Sequence, residues 1–396
     1  MRILMTTCPQ YGHFYPLVPL GWALRGAGHE VRVAVPENFV DIVAQAGLPA
    51  APVGGVVRTR DIMEGGKGEL LDAWAADPAA MHVRALRLVS RFALHLAEPI
   101  VSFCQQWSPD LVLHPTLDFS GPLVASVLGV PAVSLSPGLP IAQRAMAAAH
   151  DELADLYGAW GYQPAETPAA VRLETWPTSL LAHPGQPMRY VPYNGPETMP
   201  TWLLGRPVGT SRACVTLGSI LPKTGGLEVL PALITALHDL LEQVVIVLPH
   251  EAAKALTDLI TLPAGVHLAD TVAGPWLALN LAAEGSALLV HHGGAGTTQT
   301  AFSMGIPQLV IPRMADQFDV ANAVVRSGAG RALQPSQLTP ETVREAAADL
   351  ITDARYRQGA ARVQGEMAAQ PHPGQVAAML EELIARPGTS WSRPCG

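Results

Sequence analysis

Gly129-Val130-Pro131-Ala132-Val133 has a counterpart in Gly305-Ile306-Pro307-Gln308-Leu309, and Asp110-Leu111-Val112-Leu113 has one in Ser286-Ala287-Leu288-Leu289, both at an offset of 176 residues. Each copy reads as strand, helix, Gly-x-Pro, strand. One such match could arise in any chain that alternates strands with helices. Two in register argue for two similar doubly wound α/β domains in tandem, each a parallel sheet with helices on both faces. The alternation continues outward from the repeat. The run Arg2 to Thr6 reads as a strand, Cys8-Pro9-Gln10-Tyr11-Gly12-His13 as a loop, and Leu17, Leu20, Gly21 and Leu24 recur at helical spacing up to Gly26 and Gly28. Val31 to Val35, Leu111 to His114 and Ala132 to Leu135 read as further strands, and Arg212 to Leu217 starts a fresh one.

The break between the two halves falls in the Pro-rich stretch from Val191-Pro192-Tyr193-Asn194-Gly195-Pro196 through Pro207. This gives an N-terminal domain over 1–196, a linker over 197–210 and a C-terminal domain over 211–374. Residues 375–396 form a C-terminal helix, Gln375 to Ala385, and a frayed tail that can pack back on the N-terminal domain. Residues 55–80 and 137–190 fit the regular pattern poorly. In a two-domain α/β enzyme such segments either line a cleft or are plain surface loops.

Composition bounds the function. The chain has 396 residues, 49% hydrophobic and 15% charged, with 36 Gly and 36 Pro in no periodic spacing, so it folds around sizeable cores and is neither disordered nor fibrous. With 25 Lys plus Arg against 33 Asp plus Glu, the net charge is −8 and no basic run tracks a phosphate backbone, so nucleic acid is not an expected partner. No stretch reaches the ~18 apolar residues of a membrane span, and the N-terminal apolar run is too short for a signal peptide, so no membrane partner and a cytoplasmic location are expected. Cys8, Cys104, Cys214 and Cys395 have neither metal nor disulfide spacing and read as isolated reduced thiols.

The densest chemical signal is Leu289-Val290-His291-His292-Gly293-Gly294-Ala295-Gly296-Thr297-Thr298. It follows a strand and opens a helix, so its glycines let the backbone approach a ligand and the helix's first amides favour an anion. Thr297 and Thr298 add hydroxyls, and His292 adds a ring N–H. A capped helix with a satisfied core histidine would look the same, while the G-x-G-x-x-G spacing of a dinucleotide site is absent. Neither Asp-x-Asp in the cleft-forming segments nor a His/Cys/Asp cluster with metal spacing occurs, so no metal is implied.

The run His292 to Thr297, followed by Pro312-Arg313-Met314-Ala315-Asp316-Gln317-Phe318-Asp319-Val320-Ala321-Asn322-Ala323, resembles the donor site of GT-B nucleotide-sugar glycosyltransferases, in the pattern of the bacterial antibiotic glycosyltransferases. Gly12-His13-Phe14-Tyr15-Pro16-Leu17, Ala27-Gly28-His29-Glu30-Val31 and Arg189-Tyr190-Val191-Pro192-Tyr193-Asn194-Gly195 extend the resemblance over nearly the whole chain. It implies a GT-B fold, two doubly wound Rossmann-like domains facing across a cleft. It also implies that His292, Gly293, Gly294, Gly296 and Thr297 bind a diphosphate, with Ser219 reaching it from the first C-terminal loop. Asp316 and Gln317, 24 residues after His292, then bond the sugar hydroxyls. His13 resembles the family's catalytic base, and an imidazole with an ordinary pKa near ~6.5 suits the removal of a hydroxyl proton.

Two positions depart from the family pattern. Relatives with a His-carboxylate dyad often carry an acid directly after the strand ending near His114, where this chain has Pro115, so Asp118 is the nearest candidate to orient His13. Relatives using uridine donors tend to carry a glutamate at the position of Thr300, which suits a thymidine donor here. The expected function is that of an inverting, metal-independent glycosyltransferase. It would need no cofactor, and would move a deoxyhexose from a dTDP-sugar to a small polyketide-like aglycone. A homodimer stays open. The rivals are a GT-B sugar-nucleotide epimerase, which would need carboxylates that the His13 loop lacks, and a non-catalytic transferase-like auxiliary protein, which would not need an intact donor motif. Trp74, Met81, Trp160 and Tyr162 are candidate walls for a flat acceptor, or else local packing, and Trp276 is a candidate to stack on the base or to pack in the core.

Overall fold

The computed structural model describes residues 1–58, 62, 77–167, 169–196, 211–218, 226–271, 283 and 285–385. The chain divides into two compact units: Met1–Glu64, Ala79–Tyr193 and the residues from Ala369 onward form the first, and Asn194–Ala368 belong to the second.

The first unit holds β1 (Arg2–Thr6), β2 (Glu30–Val35), β3 (Ala50–Pro52), β4 (Leu111–Pro115), β5 (Ala132–Ser136), β6 (Val171–Glu174) and β7 (Gln186–Pro187). They lie in the order β3-β2-β1-β4-β5-β6-β7, every neighbouring pair parallel. The second unit holds β8 (Arg212–Thr216), β9 (Gln243–Pro249), β10 (Val266–Thr271), β11 (Leu288–His291), β12 (Gln308–Val310) and β13 (Gly330–Ala332). Their order is β10-β9-β8-β11-β12-β13, again all parallel. Central strands such as β4 and β8 are buried along their whole length, which is why Leu111-Val112-Leu113 and Ala213-Cys214-Val215 within them are continuous apolar runs and do not alternate.

The internal repeat maps onto equivalent elements: β4 and β5 in one sheet, β11 and β12 in the other. In each copy the intervening helix ends on a left-handed glycine, Gly129 at φ 67° and Gly305 at φ 66°. The next amide turns back identically, Val130 N–H to the Ala125 carbonyl and Ile306 N–H to the Ala301 carbonyl, both 3.0 Å. The proline then prevents the helix from continuing, so Gly-x-Pro encodes a helix stop and a strand start in both places.

Both domain boundaries fall earlier than expected. Asn194 lies with the second unit because its side-chain amide donates to Thr300 Oγ1 (3.2 Å), and the expected linker 197–210 lies outside the described residues. The chain rejoins the first unit from Ala369 and not 375: Arg189 N–H donates to the Pro371 carbonyl (2.7 Å) and Gln370 Nε2 to the Trp176 carbonyl (2.9 Å). The C-terminal helix Pro373–Ala385 packs on the helix Val18–Gly26 of that unit, with His29 Nε2 2.9 Å from Glu381 Oε1. The stretch 137–190 is more regular than its sequence suggests, containing the 16-residue helix Gln143–Gly158 and the last two strands of the sheet, β6 and β7. Among the described residues no helix is long and apolar enough to cross a membrane.

Candidate active site

In an open doubly wound sheet, ligands bind beyond the carboxyl ends of the strands where the order reverses. In the first unit that point lies between β1 and β4, and in the second between β8 and β11. His13 and Asp118 follow β1 and β4; His292 and its glycines follow β11, with Gly218 after β8.

His13 sits in the short helix Tyr11–Phe14, whose start is set by the Gln10 carbonyl accepting both His13 N–H and Phe14 N–H at 3.1 Å. Its ring is half-buried and makes no hydrogen bond among the described residues. Burial lowers its pKa to about 4, with the Asp118 charge pulling the other way, so the imidazole is neutral at ordinary pH and keeps a lone pair. Beside it, a side chain at Gly12 would meet nothing within 4 Å, so no packing constraint inside the protein accounts for that glycine.

Asp118 does not orient His13 by a hydrogen bond. Its carboxylate, 2% exposed, accepts from Thr6 Oγ1 on one oxygen and from Ser120 Oγ and Ser120 N–H (3.1 Å) on the other. It therefore acts on His13 as a fixed buried charge. His114, at the end of β4, is also buried; its Nδ1 lies 3.0 Å from the Pro115 carbonyl and burial lowers its pKa.

In the second unit the His292 ring is bracketed by two glycines. A Cβ at Gly218 would fall 2.5 Å from its Cε1 and one at Gly294 2.6 Å from its Nε2, so both positions exclude any side chain while the ring stays in place. Burial lowers the His292 pKa to about 4 against the opposing pull of the Thr216 carbonyl, so the ring is a neutral donor. Gly294 is the N-cap of the helix Ala295–Ser303, and its carbonyl takes the first intrahelical bond from Thr298 N–H (2.9 Å). The amides of Ala295, Gly296 and Thr297 precede any intrahelical acceptor and carry the helix's positive end. The Thr297 hydroxyl makes no hydrogen bond among the described residues, although the residue is 2% exposed.

Three expectations change here. The Gly293 amide is not turned to a ligand: it donates to His291 Nδ1 (3.0 Å). Thr298 Oγ1 donates to the Gly294 carbonyl (3.0 Å), so its hydroxyl bonds back within the first turn of the helix. Thr300 is fully buried, donating to the Gly296 carbonyl (2.9 Å) and accepting from Asn194, so it braces the helix start from inside. Ser219 and Trp276 lie outside the described residues.

Asp316 is the half-buried N-cap of the helix Gln317–Arg326, and Gln317 is its first residue. Gln317 Oε1 accepts Arg313 N–H (2.8 Å) and Met314 N–H (3.1 Å), which leaves its Nε2 as the end able to donate outward. The same loop carries Ala315 at φ 55°, a left-handed conformation that a non-glycine residue adopts only where its surroundings impose it. Sequence reasoning missed Thr6, Ser120, Asn194 and Gln308 as supports of these groups. Of the proposed acceptor walls, Tyr162 donates its hydroxyl to the Ser126 carbonyl (2.8 Å) and Trp160 packs against the first unit's core, so both are structural; Met81 is buried and Trp74 lies outside the described residues.

Family models described as the erythromycin biosynthesis protein CIII-like N-terminal and C-terminal domains match residues 22–218 and 232–383. The chain is 32% identical to the 3-alpha-mycarosylerythronolide B desosaminyl transferase of Saccharopolyspora erythraea, over 97% of this chain and 99% of the relative. It is 35% identical to the L-demethylnoviosyl transferase of Streptomyces niveus, over 95% and 97%. Among solved structures it is similar to the glycosyltransferase SsfS6 of Streptomyces sp. SF2575 complexed with thymidine diphosphate, with a TM-score of 0.79, 30% identity and coverage of 96% of this chain and 99% of that one.

Proposed function

The chain belongs to the erythromycin biosynthesis protein CIII-like family of glycosyltransferases, and from that membership we propose that it transfers a deoxyhexose from a dTDP-sugar to a hydroxyl of a polyketide-like aglycone, with inversion at the anomeric carbon. The acceptor oxygen attacks the anomeric carbon as the bond from that carbon to the β-phosphate oxygen breaks. The hydroxyl proton passes to His13, and the nucleoside diphosphate leaves with the bonding pair. A single in-line displacement inverts the centre.

The observation that carries this reading is the state of His13: a neutral, unengaged imidazole after β1 at the reversal point of its sheet. In the second unit, His292, the Thr297 hydroxyl and the positive end of the helix Ala295–Ser303 supply neutral donors and a dipole suited to the departing diphosphate. Asp316 and the donor end of Gln317 suit sugar hydroxyls. A thymidine donor is favoured because Thr300, internally bonded, offers no carboxylate to a ribose 2′-hydroxyl, and because the similar SsfS6 structure carries thymidine diphosphate. A deoxysugar is favoured by the names of the relatives, and an epimerase is disfavoured because Asp118, the carboxylate whose charge reaches His13, is engaged by Thr6 and Ser120.

The test is product analysis with an anomerically labelled dTDP-deoxyhexose and polyketide aglycones. A glycoside of opposite anomeric configuration is expected; an isomerised donor with the aglycone untouched marks an epimerase, and dTDP-sugar binding without turnover marks an auxiliary protein. His13→Ala should lower turnover by ~10²- to 10⁴-fold with thymidine diphosphate affinity unchanged.

A further inference from the structure

His291 ends β11 with no exposed surface, and both its ring nitrogens are engaged. Nδ1 accepts the Gly293 amide at 3.0 Å, so it carries no proton; the proton is then on Nε2, which faces Gln308 Oε1 on the neighbouring β12 at 2.8 Å. We propose that His291 is a positioning residue for the donor-phosphate loop: Gln308 fixes its tautomer, and the ring then fixes the Gly293 amide and the turn that presents His292 and the first amides of the following helix. The proposal rests on the donor-site reading given above for what the loop binds, but not for how the loop is held.

Three features favour a strut over a generic buried pair. Gly293 has φ 92°, and a Cβ there would come 3.0 Å from the Gln317 carbonyl oxygen and 3.1 Å from a Val310 methyl, so the turn is wedged against the sugar loop and has little freedom of its own. A Gly293 amide swung off His291 would turn into that packing or leave a buried donor unpaired. The Gln308 side chain is fully buried and its Nε2 has no partner among the described residues, between strands otherwise packed with leucine, isoleucine and valine. An aliphatic residue would fill that space without the desolvation cost of an amide, so the amide's contribution is the oxygen it gives His291. Finally, burial and the neighbouring His292 hold the His291 pKa down at about 3, with Gln308 opposing, so the ring stays neutral and the strut does not change with physiological pH.

Nitrogen-15 NMR of histidine-labelled wild-type protein reads the tautomer directly. A protonated Nε2 with a bare Nδ1 coupled to the Gly293 amide is expected, and a protonated Nδ1 overturns the proposal, whatever the protein binds. Calorimetry with thymidine diphosphate then separates positioning from bulk stability through two variants that lose similar packing. In His291→Asn the side-chain oxygen stands near the place of Nδ1, and affinity should stay within about threefold; His291→Gln reaches toward Gln308 instead, and affinity should fall about tenfold or more. Equal losses in both, tracking their melting temperatures, overturn the proposal. Gln308→Met, which frees the tautomer without touching the loop, should weaken thymidine diphosphate binding in the same way, and unchanged affinity there counts against the strut even if a His291 variant does not fold. Failure of wild-type protein to bind thymidine diphosphate removes the donor reading and leaves the tautomer result standing by itself.

Discussion

At the scale of single residues, the chemistry turns on imidazoles kept neutral by burial. His13 has the lone pair a base needs, and its pKa of about 4 means that only acid well below neutrality removes it. The kcat/KM profile should therefore stay flat from pH 7 down to about 5 and break near 4, well below the ~6.5 of an ordinary histidine. Asp118 raises the His13 pKa through its charge, so Asp118→Asn, which keeps a side-chain oxygen for Thr6 or Ser120, should move that break to lower pH. A break that stays in place after the substitution would show that Asp118 exerts no field at His13. A break near 6.5 would show that the base is solvated in the working enzyme or is another group. The sequence carried His13 and Asp118 as candidates, since residue type and placement after a strand are written in it. It could not carry the link between them, because a hydrogen-bonded dyad and a remote charge differ only in where the Thr6 and Ser120 hydroxyls point.

At the scale of elements, the same limit separates what was legible from what was not. Helix stops at Gly129 and Gly305 were readable because the backbone there must adopt positive φ, a demand that glycine meets locally. The short strands β6 and β7 at one end of the sheet were not readable, since 4 and 2 residues give too little pattern and the edge strand β7 contains Pro187. The glycine-rich loop was recognisable as an anion site, yet the assignment of its groups depended on tertiary neighbours: Gly293 and Thr298 bond inward, and His292 owes its position to Gly218 and Gly294. Gly294 tests that packing cleanly. Its φ of −64° suits alanine, so the only obstacle is the Cβ lying 2.6 Å from His292 Nε2. Gly294→Ala should leave the fold in place, displace the imidazole and cost about 1.5 to 3 kcal/mol of thymidine diphosphate affinity, the worth of a hydrogen bond to a charged group. Gly12→Ala, where a Cβ meets nothing within 4 Å, is the control and should bind thymidine diphosphate like the wild type. Undiminished binding by Gly294→Ala, measured by calorimetry, would separate His292 from the diphosphate.

At the scale of the molecule, the histidines that serve function also set a limit on acid stability. His13 and His114 in the first unit and His291 and His292 in the second all have pKa values below the ordinary 6.5 when folded. Below about pH 6.5 the unfolded chain protonates these rings while the folded chain does not, so the unfolded state binds more protons and stability falls as the pH drops. The loss continues until the folded rings protonate, near 4 for His13 and His292 and near 3 for His291. Each ring contributes a slope of about 1.4 kcal/mol per pH unit inside that window, so His291 and His292 together should cost the second unit roughly 3 kcal/mol for each unit of pH lost below 6. Urea unfolding at pH 7, 6, 5 and 4.5, with proton uptake followed calorimetrically, measures this slope. His291→Asn, which has no ring to protonate, should remove about one proton from the uptake at pH 5. If stability were flat between pH 7 and 5, these rings would have to be protonated or solvated in the folded chain. His13 would then titrate near the ordinary ~6.5, and by pH 5 a protonated His291 could not accept the Gly293 amide in the donor loop.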